Sequence, residues 1–175
     1  MRRANSVDFL RTHCAERVVL SNGIVIRNQK PMPPTALRSC LVDMSPTEWY
    51  TLLNSHVFFW FDPARLNRQK RACGGRDQRV MIIDYERLLE YYGKHAALTP
   101  FNTGNARRKA AVRGKDTFVP YTTWLDSGWD REVPDLRNAP RPRNHKPVEL
   151  TIPDAVPDIM RFVVEVKTLR NGEYL

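Results

Sequence analysis

Two side chains and one loop have the types and spacing to do chemistry. Arg65 follows the apolar run Val57–Phe61 by about one helical turn. A guanidinium placed there can reach a ligand beside the strand and grip phosphate oxygens through paired N–H groups. An exposed helix arginine fits the same spacing. Glu149 interrupts the apolar segment KPVELTI. By alternation, Val148, Leu150 and Ile152 share one strand face, while Glu149 and Thr151 share the other. Facing solvent, Glu149 is an ordinary outward polar residue. Facing a cleft, its carboxylate can act as a base or hold a sugar hydroxyl. The third candidate is the loop Asn102–Thr117, where Arg107, Arg108, Lys109, Arg113 and Lys115 fall within nine residues. Asn102, Thr103 and Asn105 can hydrogen-bond phosphate or sugar there. Gly104 and Gly114 permit close backbone approach to a ligand. The bland alternative is a solvated charge run. Tyr50 and Trp60 are aromatic candidates to line such a cleft, although aromatic residues are more often core.

These residues need a scaffold, and the chain supplies short elements. RVVLSNGIVIRNQKP reads as a β-hairpin about Asn22-Gly23. Thr35–Val42 is a short helix. Ser45-Pro46-Thr47-Glu48 opens another with a capping box, and puts Trp49, Leu52 and Leu53 on one face. Val57–Phe61, apolar throughout, predicts a central strand buried on both faces. Asp62-Pro63 starts the helix that carries Arg65, Arg68, Lys70 and Arg71. Arg79–Ile83 is a second apolar strand. Asp84 caps a helix that ends at Gly93. Ala97–Phe101, Lys146–Ile152 and Arg161–Lys167 complete the strands, with VPDIM as a turn. Residues 1–16 read as an arm or helix, 17–168 as one domain, 126–146 as a surface loop and 169–175 as a tail. The regular alternation of a doubly wound fold is missing. The expectation is an α+β domain with a mixed or mostly antiparallel sheet.

Composition narrows the function classes. Hydrophobic residues make up 42% of the 175, enough for a core, while the net charge of +9 predicts attraction to polyanions. The cysteines (Cys14, Cys40, Cys73) and histidines (His13, His56, His95, His145) are widely spaced, so no metal is expected. Free thiols, with no signal peptide and no membrane-spanning run, predict a cytoplasmic protein without a membrane partner. Dinucleotide, Walker and metalloprotease signatures are all missing from the sequence.

IRNQKPM, CLVDMSPTEWYTLLNSHVFFWFDPARL, PFNTGNARRKAAVRGKDTFVP and VELTIPDAVPDIMRFVVEV together resemble a bacterial domain family of unknown function, over nearly the whole chain. More distantly, HVFFWFDPARL is similar to the strand-proline-arginine segment of DarT-type DNA ADP-ribosyltransferases. There the arginine grips the NAD pyrophosphate. VELTIPDAVPDI is similar to their late strand, which begins with a catalytic glutamate. The resemblance implies an ADP-ribosyltransferase-like fold, NAD as substrate, Arg65 on its phosphates, Glu149 as catalytic residue and nucleic acid as an acceptor. Such transferases also carry an early strand with a histidine or similar group. Nothing in MRRANSVDFLRTHCAERVVL matches it, so the resemblance implies a shortened member, a mis-started reading frame or an inactive descendant. The alternative expectation, from the charge and the 102–117 loop, is a non-catalytic nucleic-acid or nucleotide-binding module.

Overall fold

The computed structural model describes residues 18–19, 25–26, 32–72, 77–105, 110–130 and 141–175. Strands β1 (Val18–Val19) and β2 (Val25–Ile26) pair antiparallel, as the hairpin reading requires. The arm at 1–16 and the Asn22-Gly23 turn lie outside the described residues. Helix α1 is Pro34–Arg38, shorter than expected. Helix α2 (Pro46–Asn54) has the expected capping box. Ser45 Oγ accepts the Glu48 N–H, and Glu48 Oε2 accepts the Ser45 N–H at 2.7 Å.

Strand β3 (His56–Trp60) leads into α3 (Pro63–Ala72), where Asp62 Oδ1 accepts the Ala64 N–H at 2.8 Å. Next come β4 (Gln78–Ile83), α4 (Tyr85–Tyr92), β5 (Ala97–Thr99), β6 (Val119–Pro120) and α5 (Tyr121–Ser127). Strands β7 (Glu149–Pro153) and β8 (Val163–Leu169) close the order. Gly93 is the C-cap of helix α4, its N–H closing the last helical turn onto Leu89 O at 2.8 Å. A Cβ at Gly93 would lie 2.4 Å from that carbonyl oxygen.

The main sheet has the order β3-β7-β5-β6, with every described strand pair antiparallel. Strands β4 and β8 form a separate antiparallel ribbon. The architecture is therefore α+β, with antiparallel sheets and short helices. No helix among the described residues is long and apolar enough to cross a membrane.

One face of the main sheet carries Val57, Phe59, Leu98, Val119, Leu150 and Ile152 into the larger core, which Leu88, Trp129 and Phe162 complete. A smaller core gathers Met32, Leu37, Cys40 and Trp49, with Phe118 packed on it. Phe118 also contacts the rings of His56 and Phe58, at 5.0 and 6.4 Å. The smaller core thus backs the second face of β3.

Two expectations need correction. Among the described residues strand β3 is an edge strand, half-buried along its length, not a central one. An all-apolar run does not reveal that only Val57 and Phe59 meet the larger core. The 126–146 segment is not wholly a surface loop. Helix α5 runs to Ser127, and Trp129 is buried, donating its indole N–H to His145 O at 2.8 Å. One tryptophan anchors a stretch whose polar composition reads as loop; residues 131–140 lie outside the described ones. Lys70 of helix α3 is turned into the protein. It is fully buried, with Nζ donating to Leu169 O at 3.0 Å.

Candidate functional site

The second face of the sheet holds the polar chemistry. Glu149 sits in β7 between two cross-strand partners, Trp60 of β3 and Thr99 of β5. Directly opposed residues in antiparallel pairs lie within side-chain reach. Trp60 Nε1 accordingly donates to Glu149 Oε1 at 3.3 Å, and Thr99 Oγ1 to Oε2 at 3.0 Å. The loop after β5 adds Thr103, whose N–H and hydroxyl both donate to Oε2, at 3.1 and 2.8 Å. The carboxylate is only 3% exposed, yet it lines a cleft of about 1070 Å³. Thr103 gives Oε2 two donors and the Thr99 hydroxyl, shared with Phe101 O at 3.0 Å, adds to them, whereas Oε1 has one long hydrogen bond. Oε1 is therefore the atom with capacity left for a ligand hydroxyl.

Arg65 lines the same cleft, as do Trp60, Asn102, Thr103 and Gly104. Strand alternation adds His56 and Phe58 to Trp60 on one wall, and helix α3 adds Arg68 and Gln69. The Arg65 side chain is 33% exposed, and its nearest acid, Asp62, is 3.9 Å from Nε. Arg68 reaches the same carboxylate at 4.0 Å. Among the described residues neither guanidinium makes a hydrogen bond, so both forks remain available to an anion.

Other candidates lie elsewhere. Tyr50 packs against the smaller core and its hydroxyl donates to Met32 O at 3.4 Å; burial pushes its phenol up from the ordinary value. Lys115 is exposed and outside the cleft lining. Arg107 and Arg108 lie outside the described residues. Gly114 faces the Val42 carbonyl, 3.1 Å from where a Cβ would sit, rather than a ligand.

Arg113, expected at the ligand, is 1% exposed and committed to the protein. Its Nε donates to Ala111 O at 3.0 Å and its Nη1 to Thr103 O at 2.9 Å. Its guanidinium lies 4.9 Å from the Phe101 ring centre. Its backbone is bonded on both sides, to Cys40 O and from Val42 N, at 2.7 and 2.9 Å. Burial lowers its pKa from the ordinary value, opposed by its contacts with the Cys40 side chain and the Glu149 carboxylate. Arg113 thus holds Thr103, and Thr103 holds Glu149.

Asn105, expected at a ligand from the loop's composition, lines the cleft, whereas Asn54, His56, Phe58, Arg68 and Gln69 line it without having been site candidates in the sequence. Parity along β3 would have placed His56 and Phe58 beside Trp60, and helical spacing would have placed Arg68 beside Arg65. Thr99 had no such signal, because strand register is a tertiary property. No group of three or more His, Cys, Asp or Glu able to hold a metal occurs among the described residues.

Fold and site together define an α+β protein whose antiparallel sheet presents a hydrogen-bonded carboxylate to a cleft with arginines in its wall. The chain belongs to a family of unknown function (DUF7002), whose pattern matches residues 2–163. No curated protein and no solved structure matches it.

Proposed function

We propose that this cleft binds NAD and that the protein transfers ADP-ribose from it, with Glu149 as the catalytic residue and Arg65 on the pyrophosphate. One observation carries the proposal: Arg65 and Glu149, far apart in sequence, line a single cleft. The chemistry of the lining fits the ligand. Two unspent guanidiniums suit a doubly charged pyrophosphate. Glu149 Oε1 suits a ribose hydroxyl, and the carboxylate suits a sugar ring that gains positive charge as the glycosidic bond lengthens.

In the reaction the bond from ribose C1′ to the nicotinamide nitrogen breaks, and its electron pair leaves with nicotinamide. An acceptor lone pair forms the new bond to C1′, and the acceptor's proton passes to solvent. The net charge of +9 favours a polyanionic acceptor such as nucleic acid.

Calorimetric titration with NAD, paired with an assay for released nicotinamide, tests this. Wild type is expected to bind NAD and release nicotinamide in the presence of acceptor. Arg65→Ala should weaken binding. Glu149→Gln should retain binding and lose release. A wild-type chain that neither binds NAD nor releases nicotinamide refutes the proposal. Salt-sensitive nucleic-acid binding without NAD binding would favour a non-catalytic module instead.

A further inference from the structure

His56 lies on the same wall of the cleft as Trp60, four residues away along β3. Trp60 pairs with Glu149, whereas His56 pairs with Pro153. The imidazole is therefore about 13 Å along the strand from the Glu149 end. Its Nδ1 is 2.8 Å from Leu52 O, a carbonyl in the last turn of α2. Carbonyls there lack an intrahelical partner and take other donors. The Ser55 hydroxyl, 3.2 Å from Nδ1, donates to the same Leu52 O at 2.9 Å, and a carbonyl cannot donate, so the proton on this contact is placed on Nδ1. In the neutral ring the lone pair then falls on Nε2. Among the described residues Nε2 has no hydrogen-bond partner. Phe118 stacks on the ring at 5.0 Å, with 26° between planes, and fixes its orientation.

We propose that His56 makes the end of the cleft remote from Glu149 a subsite for a hydrogen-bond donor, and that this donor is the exocyclic amine of adenine. The inference rests on the NAD proposal and adds base selection to it. With a ribose at Glu149 and pyrophosphate on the arginines, the far base of a dinucleotide is the part that extends toward His56. Phe58, between His56 and Trp60 on the wall, offers the base an aromatic surface. An amine donates to the Nε2 lone pair. A 6-oxo base presents an oxygen there instead, leaving two acceptors opposed.

The test is titration of the full chain with NAD and with nicotinamide hypoxanthine dinucleotide under identical conditions. Wild type should bind NAD roughly tenfold more tightly, the cost of one unmade hydrogen bond at an enclosed site. His56→Asn can keep a donor on Leu52 O but offers nothing in place of Nε2. It should retain the unfolding midpoint and bind the two dinucleotides equally. Equal wild-type affinities, or a preference that survives in His56→Asn, overturn the base-selection proposal and leave NAD binding standing. No wild-type binding of either dinucleotide overturns both. If His56→Asn does not fold, the wild-type comparison still decides.

Discussion

The two faces of the main sheet are built from the same strands, and alternate residues of β7 divide between them. Leu150 and Ile152 enter a dry apolar core, while Glu149 and Thr151 turn the other way. Both pairs are buried, so burial alone does not separate structure from function. On the core side, apolar atoms lose water and need no partner. On the cleft side a carboxylate is retained, and four donors from Trp60, Thr99 and Thr103 are spent on holding it. Burying an acid is costly unless it is hydrogen-bonded. A chain selected for stability alone gains little from such a device.

Substitutions on the two faces should therefore separate in what they damage. The largest stability loss is expected from Leu150→Ala, about 2–5 kcal/mol by denaturant unfolding, because it opens a cavity in the larger core. Arg113→Ala should come next, at roughly 2–3 kcal/mol, since it leaves the buried Thr103 carbonyl and the half-buried Ala111 carbonyl without this donor. It should also weaken nicotinamide release by freeing Thr103, although Arg113 does not line the cleft. Unchanged release in a folded Arg113→Ala would remove the arginine from the site. Glu149→Gln should cost roughly 1–2 kcal/mol, because an amide matches only part of its donor set, and should abolish release. The smallest change in stability, within about 0.5 kcal/mol, is expected from Arg65→Ala, a partly exposed side chain with one loose ion pair. That variant should nonetheless weaken NAD binding by roughly tenfold or more, the loss of a charged hydrogen bond. A large stability loss without an affinity change at Arg65 would reverse the contrast between the faces.

The arginines make the same comparison within one residue type. Arg65 and Arg113 look alike in sequence, each a cation near an apolar segment. Arg65 has a single acid, Asp62, at a loose 3.9 Å. Arg113 is enclosed between Trp49 and Phe101, with its N–H groups on carbonyls. The basic composition of the 102–117 loop suggested that Arg113 would meet a ligand. Packing turned it inward, because the loop needs a donor fork to satisfy its own carbonyls.

Local chemistry was legible in the sequence by itself. The capping box at Ser45, the Asp62 and Asp84 helix starts, the stop at Gly93 and the β1–β2 pairing all depend on neighbours a few residues apart. The parity that separates Glu149 from Leu150 is equally local. Tertiary structure alone decided the rest. Among the described residues strand β3 is an edge because β7, distant in sequence, pairs on one side of it. Trp60 and Thr99 meet Glu149 because of cross-strand register, which no local pattern encodes. Arg65 shares a cleft with Glu149 for the same reason. Short-range hydrogen bonds and strand alternation are written in consecutive residues, whereas a site assembled across strands exists only once the sheet has formed.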